Sequence, residues 1–131
     1  EGPTETAVVS YLQDQKLLSI DKDGVFVMDT IGKFNMHRFM ALFEMLKIPH
    51  SVLYDDDNGR HAPVTSSIKA AANTYTRGID NFPQDIERFL GIVPPAAPYR
   101  KPQHLLFNIH NGSISKSSLE HLAKKLAELL K

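Results

Sequence analysis

Cysteine is absent from the 131 residues, so neither a disulfide nor a cysteine-based zinc site is possible. There is no excess of either charge: fifteen Lys and Arg stand against fifteen Asp and Glu. That balance argues against a generic polycation that coats nucleic acid. A nucleic-acid enzyme stays open, because bound metal ions supply positive charge locally. No apolar run nears the ~20 residues of a membrane span, no internal repeat is present, and the expected compartment is the reducing cytoplasm. The six histidines (His37, His50, His61, His104, His110 and His121) form no H-x-x-x-H or H-E-x-x-H pair, so they read as structural or surface groups. Ser66 and Ser67 show no His and Asp arrangement that would make a serine nucleophile.

Apolar residues make up 42% of the chain, enough for one domain with a real core. The chain opens at Glu1-Gly2-Pro3 and is read as a piece of a longer protein. Gly2-Pro3-Thr4-Glu5 has the marks of a helix start, with Pro in the first turn and an acid complementing the positive helix end. Val8, Val9 and Leu12 continue it as an apolar stripe. Asp21-Lys22-Asp23-Gly24 predicts a turn, and Val25-Phe26-Val27-Met28 a buried strand. After a Gly32-Lys33-Phe34-Asn35 loop, Met36, Phe39, Met40, Phe43 and Leu46 fall at helical spacing. His50 to Tyr54 predicts a second strand, and strand–helix–strand with short links predicts a parallel α/β unit. Further on, the pattern predicts helices over residues 65–73 and 83–90, and an extended connector over 93–98. A last amphipathic helix carries Leu119, Leu122, Ala123, Leu126 and Leu130, with Lys124, Lys125 and Lys131 toward its end.

The sharpest chemical feature is the acid run that ends the second strand, Asp55-Asp56-Asp57. In open parallel sheets, ligands gather outside the carboxyl ends of the strands. Residues two apart in extended chain point the same way, so Asp55 and Asp57 can converge. Clustered carboxylates repel unless something positive lies between them, and oxygen ligands select Mg²⁺, Mn²⁺ or Ca²⁺. Taken alone, the run reads equally as a solvated loop. An EF-hand fails, because the sixth position from Asp55 is Arg60 where that loop needs Gly. A phosphatase with an aspartyl nucleophile is disfavoured by Gly59, where Thr or Val is expected. Glu1 and Glu5, four apart at a helix start, can approach each other. Glu5 alone reads as a helix-start charge.

Together, Glu1-Gly2-Pro3-Thr4-Glu5 and Asp55-Asp56-Asp57 resemble the Toprim signature, a Glu followed by D-x-D at a later strand end. Gly32-Lys33-Phe34-Asn35, the helix after it and Leu46-Lys47-Ile48-Pro49-His50 resemble the overcoming-lysogenization-defect (OLD) branch of that family. Asp85-Ile86-Glu87 resembles its later acid site and Lys101-Pro102 its late K-P, so the likeness covers about residues 1–102. The family has an apolar strand before the first Glu, and these residues do not include one.

The resemblance implies a Rossmann-like parallel sheet flanked by helices. It implies one catalytic domain over 1–131, with its core in 1–102 and a helical segment over 103–131. It implies a metal-dependent DNA endonuclease or nickase with two Mg²⁺ or Mn²⁺ ions ~3.5–4 Å apart. The implied ligands are Glu1, Glu5, Asp55, Asp57 and Glu87, with Asp85 as a reserve ligand and Lys101 neutralising charge on the scissile phosphate. Lys33, Arg38, Lys69, Arg77 and Arg100 are candidates for tracking the nucleic-acid backbone, though each also reads as a solvated charge. The implied partners are DNA, an ABC-type ATPase region of the same parent chain and a further copy joined through that region. The implied setting is phage defence. A primase- or topoisomerase-like Toprim enzyme and a non-catalytic Toprim scaffold are the alternatives. None of the four Tyr has a recognisable topoisomerase context, and a scaffold is expected to lose acids that this chain keeps.

Overall fold

The computed structural model describes residues 1–20 and 24–131. Two parallel strands, β1 (His50–Asp55) and β2 (Thr76–Phe82), lie between two groups of helices. On one face, α2 (Met36–Met45) and α3 (Ala62–Ala70) bury Met36, Met40 and Ile68 against Val52 and Tyr54 of β1. On the other face lie α1 (Pro3–Asp14), the one-turn α4 (Ile86–Phe89), α5 (Lys101–His110) and α6 (Lys116–Leu129). They pack Val8, Leu12, Ile86, Leu105, Leu122 and Leu126 around Phe82. The period-2 alternation of β1 divides its side chains between the two cores: Val52 and Tyr54 one way, Leu53 the other. Among the described residues, no helix is long and apolar enough to cross a membrane.

Local chemistry accounts for the element starts. Gly2 caps α1 in extended conformation, Pro3 occupies the first turn, and the Glu5 carboxylate accepts the Gly2 amide at 2.8 Å. Asp85 caps α4 by accepting the Arg88 amide, and Ser115 caps α6 by accepting the Ser118 amide. Pro63 starts α3 earlier than the expected 65–73, and the chain leaves the helix after Ala70. The expected 83–90 helix shrinks to its capped turn.

Several expectations change. Val25–Met28 is not a strand. Val25 and Val27 pack toward the α1/α5/α6 core while Phe26 stays 85% exposed, so the segment alternates like a strand. Among the described residues, no neighbouring strand hydrogen-bonds to it, and a ladder needs a partner. Instead, the main chain of Glu1 lies beside β1: its nitrogen donates to the Leu53 carbonyl (3.1 Å), and its own carbonyl accepts from Gly32 N (3.1 Å) and Thr30 Oγ1 (3.0 Å). The partner of β1 is β2, which the sequence pattern does not announce. The final helix stops at Leu129, leaving Leu130 outside it and partly exposed, and Lys125 pairs with Asp80 of β2 rather than serving the helix end. The expected Asp21–Gly24 turn falls on residues 21–23, outside the described residues, although Gly24 is left-handed (φ 65°). The C-terminal helices begin at Lys101, two residues ahead of the expected segment, and share one core with α1.

The end of α6 presses on β2. A Cβ built on Gly78 would stand 2.8 Å from Leu129 Cδ1 and 3.3 Å from the Leu129 carbonyl oxygen. The side chain can swing away, but the carbonyl is fixed by Ser51 Oγ, which donates to it at 2.8 Å. Gly78→Ala is therefore expected to cost about 1 kcal/mol in urea unfolding by overpacking. An unchanged midpoint would show that α6 yields freely there.

Candidate metal-binding site

Both strands run parallel, so their carboxyl ends open on the same edge. Asp55 is the last residue of β1, and α4 follows β2 after a short turn, bringing Glu87 to the same edge. The start of α1 supplies Glu1 and Glu5, and the first residue of α5 supplies Lys101. Glu1 Oε2 accepts the Asp55 amide at 2.8 Å. Lys101 Nζ stands 3.1 Å from Glu87 Oε2 and 3.8 Å from Asp55 Oδ2. The structure thus gathers Glu1, Glu5, Asp55, Glu87 and Lys101.

Asp57 sits at the rim, half exposed, on a turn where Asp57, Asn58 and Gly59 are all left-handed (φ 54°, 55° and 75°). The amides of Asp56, Asp57 and Asn58 donate to the carbonyls of Phe82, Gln84 and Pro83, which fixes this costly backbone. Asp85 is turned elsewhere. Its carboxylate caps α4 and pairs with the Arg88 guanidinium. Of the two acids left open by the sequence, Glu87 faces the cluster and Asp85 serves the helix.

The electrostatics follow from burial. Asp55 is pushed up to about 8, first by desolvation, then by the Glu5 and Glu1 carboxylates, with Lys101 pulling the other way. Burial also raises Glu1. The Asp55 amide opposes that rise and Glu5 adds to it. For Lys101, burial works against the ammonium, but the facing Glu87 outweighs it and the net shift is upward. Glu87 is 0% exposed, neither of its oxygens receives an aligned hydrogen bond, and Asp55 Oδ1 has no partner either.

Buried carboxylate oxygens that accept no aligned hydrogen bond are the acceptors that a hard cation seeks, so the donor set fits Mg²⁺ or Mn²⁺. As placed, the acids are not drawn in around a point. Among the described residues, no three or more His, Asp or Glu are close enough to hold one ion. Each acid turns to an internal donor or cation instead: Glu1 to the Asp55 amide, Glu5 to the Gly2 amide, Glu87 to Lys101 and Asp57 toward Lys33.

Residues 1–57 match the family model described as the overcoming lysogenization defect protein-like TOPRIM domain. Over these residues the chain is similar to an OLD-like Toprim domain. No curated protein and no solved structure matches the chain. The match ends at Asp57, so it takes in α1, α2, β1 and four of the gathered or adjoining acids. Glu87 and Lys101 lie beyond it, and the fold brings them to the same edge. The small parallel sheet flanked by helices agrees with a Toprim-like plan.

Unlike the other backbone-tracking candidates Arg38, Lys69, Arg77 and Arg100, all of which are exposed, Lys33 is 2% exposed. Its ammonium donates to the Asp55 carbonyl at 2.7 Å and lies 3.5 Å from Asp57 Oδ2. The signal that could have found it is its place in the G-K-x-N pattern.

The different duties of Asp85 and Glu87 give a separable prediction. Asp85→Asn weakens a cap and an ion pair, so it is expected to cost about 1 kcal/mol and leave Mn²⁺ affinity within twofold. Glu87→Gln is expected to lower Mn²⁺ affinity at least tenfold while the fold holds. Calorimetric titration beside thermal melting checks both, and the reverse pattern would exchange the two roles.

Proposed function

We propose that this chain is the catalytic Toprim part of a divalent-metal-dependent DNA endonuclease or nickase. The observation that carries the reading is the set of buried carboxylate oxygens on Asp55 and Glu87 that accept no aligned hydrogen bond among the described residues, with Lys101 as their neighbouring cation, at the carboxyl edge of a parallel sheet. Asp55, Glu87, Glu1 and Glu5 would hold the ions, with Asp57 at the rim. Divalent ions supply Lewis acidity to the phosphodiester and to the attacking water. The chain's own residues do the rest. Lys101, tethered between Asp55 and Glu87, offers a fixed positive charge to a phosphate oxygen. Burial of the acids limits bulk water at the reacting phosphate.

A polar cleft of about 220 Å³ lies at the Asp57 rim, lined by Asp57, Arg60, His61, Gln84, Asp85 and Arg88 among others. It is suited to a phosphate backbone approaching the cluster. On this reading DNA is the partner. The ATPase region, a further copy joined through it and a role in phage defence belong to the longer parent that the resemblance implies.

Conversion of supercoiled plasmid to nicked or linear product tests the reading. Cutting is expected with Mn²⁺ or Mg²⁺ and is expected to vanish with EDTA. Cutting that persists in EDTA, or none with any divalent ion, contradicts the proposal.

A further inference from the structure

We propose that Lys33 is a resident counter-cation, which holds the acid edge together when no metal is bound and becomes electrostatically dispensable when metal arrives. The inference rests on the metal reading above and adds a positioning residue to it.

A buried lysine is costly to ionise unless its surroundings repay desolvation. Here they are the Asp55 carbonyl at 2.7 Å, the Asp57 carboxylate at 3.5 Å and the Tyr54 ring, whose centroid is 5.4 Å from Nζ. All three belong to the last turn of β1 or the residues just after it. The loop carrying Lys33 is tied to the other side of the site, because the Gly32 amide donates to the Glu1 carbonyl. Backbone conformation beside Lys33 and its target is strained. Ile31 is a β-branched residue at φ 58°, and Asp57 and Asn58 are left-handed as well. A chain held in such conformations around a buried ammonium is arranged to place that charge.

The charge balance shows why it is needed. Glu1, Glu5, Asp55, Asp57 and Glu87 crowd one edge, and among the described residues the ion pairs of Lys101 are with Asp55 and Glu87. Lys33 covers the opposite flank, toward Asp57. With metal absent, its charge reduces repulsion among the acids. With metal present, the cation does so, and a neighbouring ammonium then opposes it.

The two states therefore respond differently to loss of the charge. Melting of the native chain and of Lys33→Met, Lys33→Gln and Lys33→Arg, in EDTA and in saturating MnCl₂, reads this. Met keeps the apolar stem, Gln keeps a donor one atom shorter, and Arg keeps the charge. Met and Gln are expected to lower the midpoint in EDTA at least twice as much as in Mn²⁺. By linkage they are also expected to bind Mn²⁺ roughly tenfold tighter than the native chain. Arg is expected to keep the native difference between the two conditions. Should Lys33→Met fail to fold in EDTA, circular dichroism with added Mn²⁺ is expected to show folding restored. Equal losses in both conditions, weaker Mn²⁺ binding or no restoration would overturn the proposal and leave Lys33 as an ordinary packing and hydrogen-bonding group. A native chain whose midpoint does not respond to Mn²⁺ would instead overturn the metal reading itself.

Discussion

Asp55→Asn is expected to raise the melting point of the metal-free protein at pH 8 while abolishing Mn²⁺ binding. The native carboxyl is held near 8 in the fold, against 3.8 as its ordinary value. Below about pH 4 it carries its proton in both states and costs nothing. Between there and pH 8 the folded chain holds the proton and the unfolded chain releases it, so stability falls as the pH rises. Burial is the main cause, and Glu5 and Glu1 add repulsion. Asn removes the charge and keeps the shape, so its stability should fall less steeply than the native chain's over that window and exceed it at pH 8. Mn²⁺ should flatten the native profile in the same way, because a cation favours the ionised form. Melting curves from pH 4 to 8, with and without Mn²⁺, check this. A native profile that rises with pH, or an Asn variant that still binds Mn²⁺ tightly, would contradict it.

Lys101→Met is expected to be the most destabilising single change at the site. Glu87 is fully buried, and Lys101 stands 3.1 Å from it. Removing the cation leaves a carboxylate stranded in the core, which costs about 3 kcal/mol in comparable buried pairs. The companion change Glu87→Gln removes that stranded charge. Double-mutant analysis by urea unfolding should therefore show Lys101→Met/Glu87→Gln more stable than Lys101→Met alone. Both single variants are expected to lose activity as well. Each is expected to lower plasmid cutting about 10²-fold or more, and the stabilised double variant should not regain it. A double variant that recovers cutting would assign Lys101 to folding alone.

The parts legible in the sequence are those whose signals are local. Gly2-Pro3-Thr4-Glu5 announces α1 because cap, proline and acid lie within one turn. His50 to Asp55 announces β1 because the apolar run stops at an acid run. The α6 stripe of Leu119, Leu122, Ala123 and Leu126 is buried as its spacing predicts. What was hidden depends on distant partners. Thr76–Phe82 contains Gly78, Asp80 and Asn81, residues poor in strands, and becomes β2 because β1 pairs with it and α6 covers it. Val25–Met28 carries strand chemistry but finds no ladder partner among the described residues. Likewise Asp85 and Glu87 are indistinguishable as letters two apart. The cap at Asp85 and the Lys101 contact at Glu87 separate them only in three dimensions. Lys33 looked like any surface lysine because burial is not written in its neighbours.

The central claim is that the acids at the carboxyl edge of β1 and β2 hold a divalent cation. Anomalous diffraction from crystals of the chain soaked in millimolar MnCl₂ tests it most directly. The account predicts an anomalous peak ~2.2 Å from an Asp55 carboxylate oxygen, shared with at least one of Glu1, Glu5 and Glu87. Well-ordered acids with no peak among them, or manganese bound only elsewhere, would contradict it.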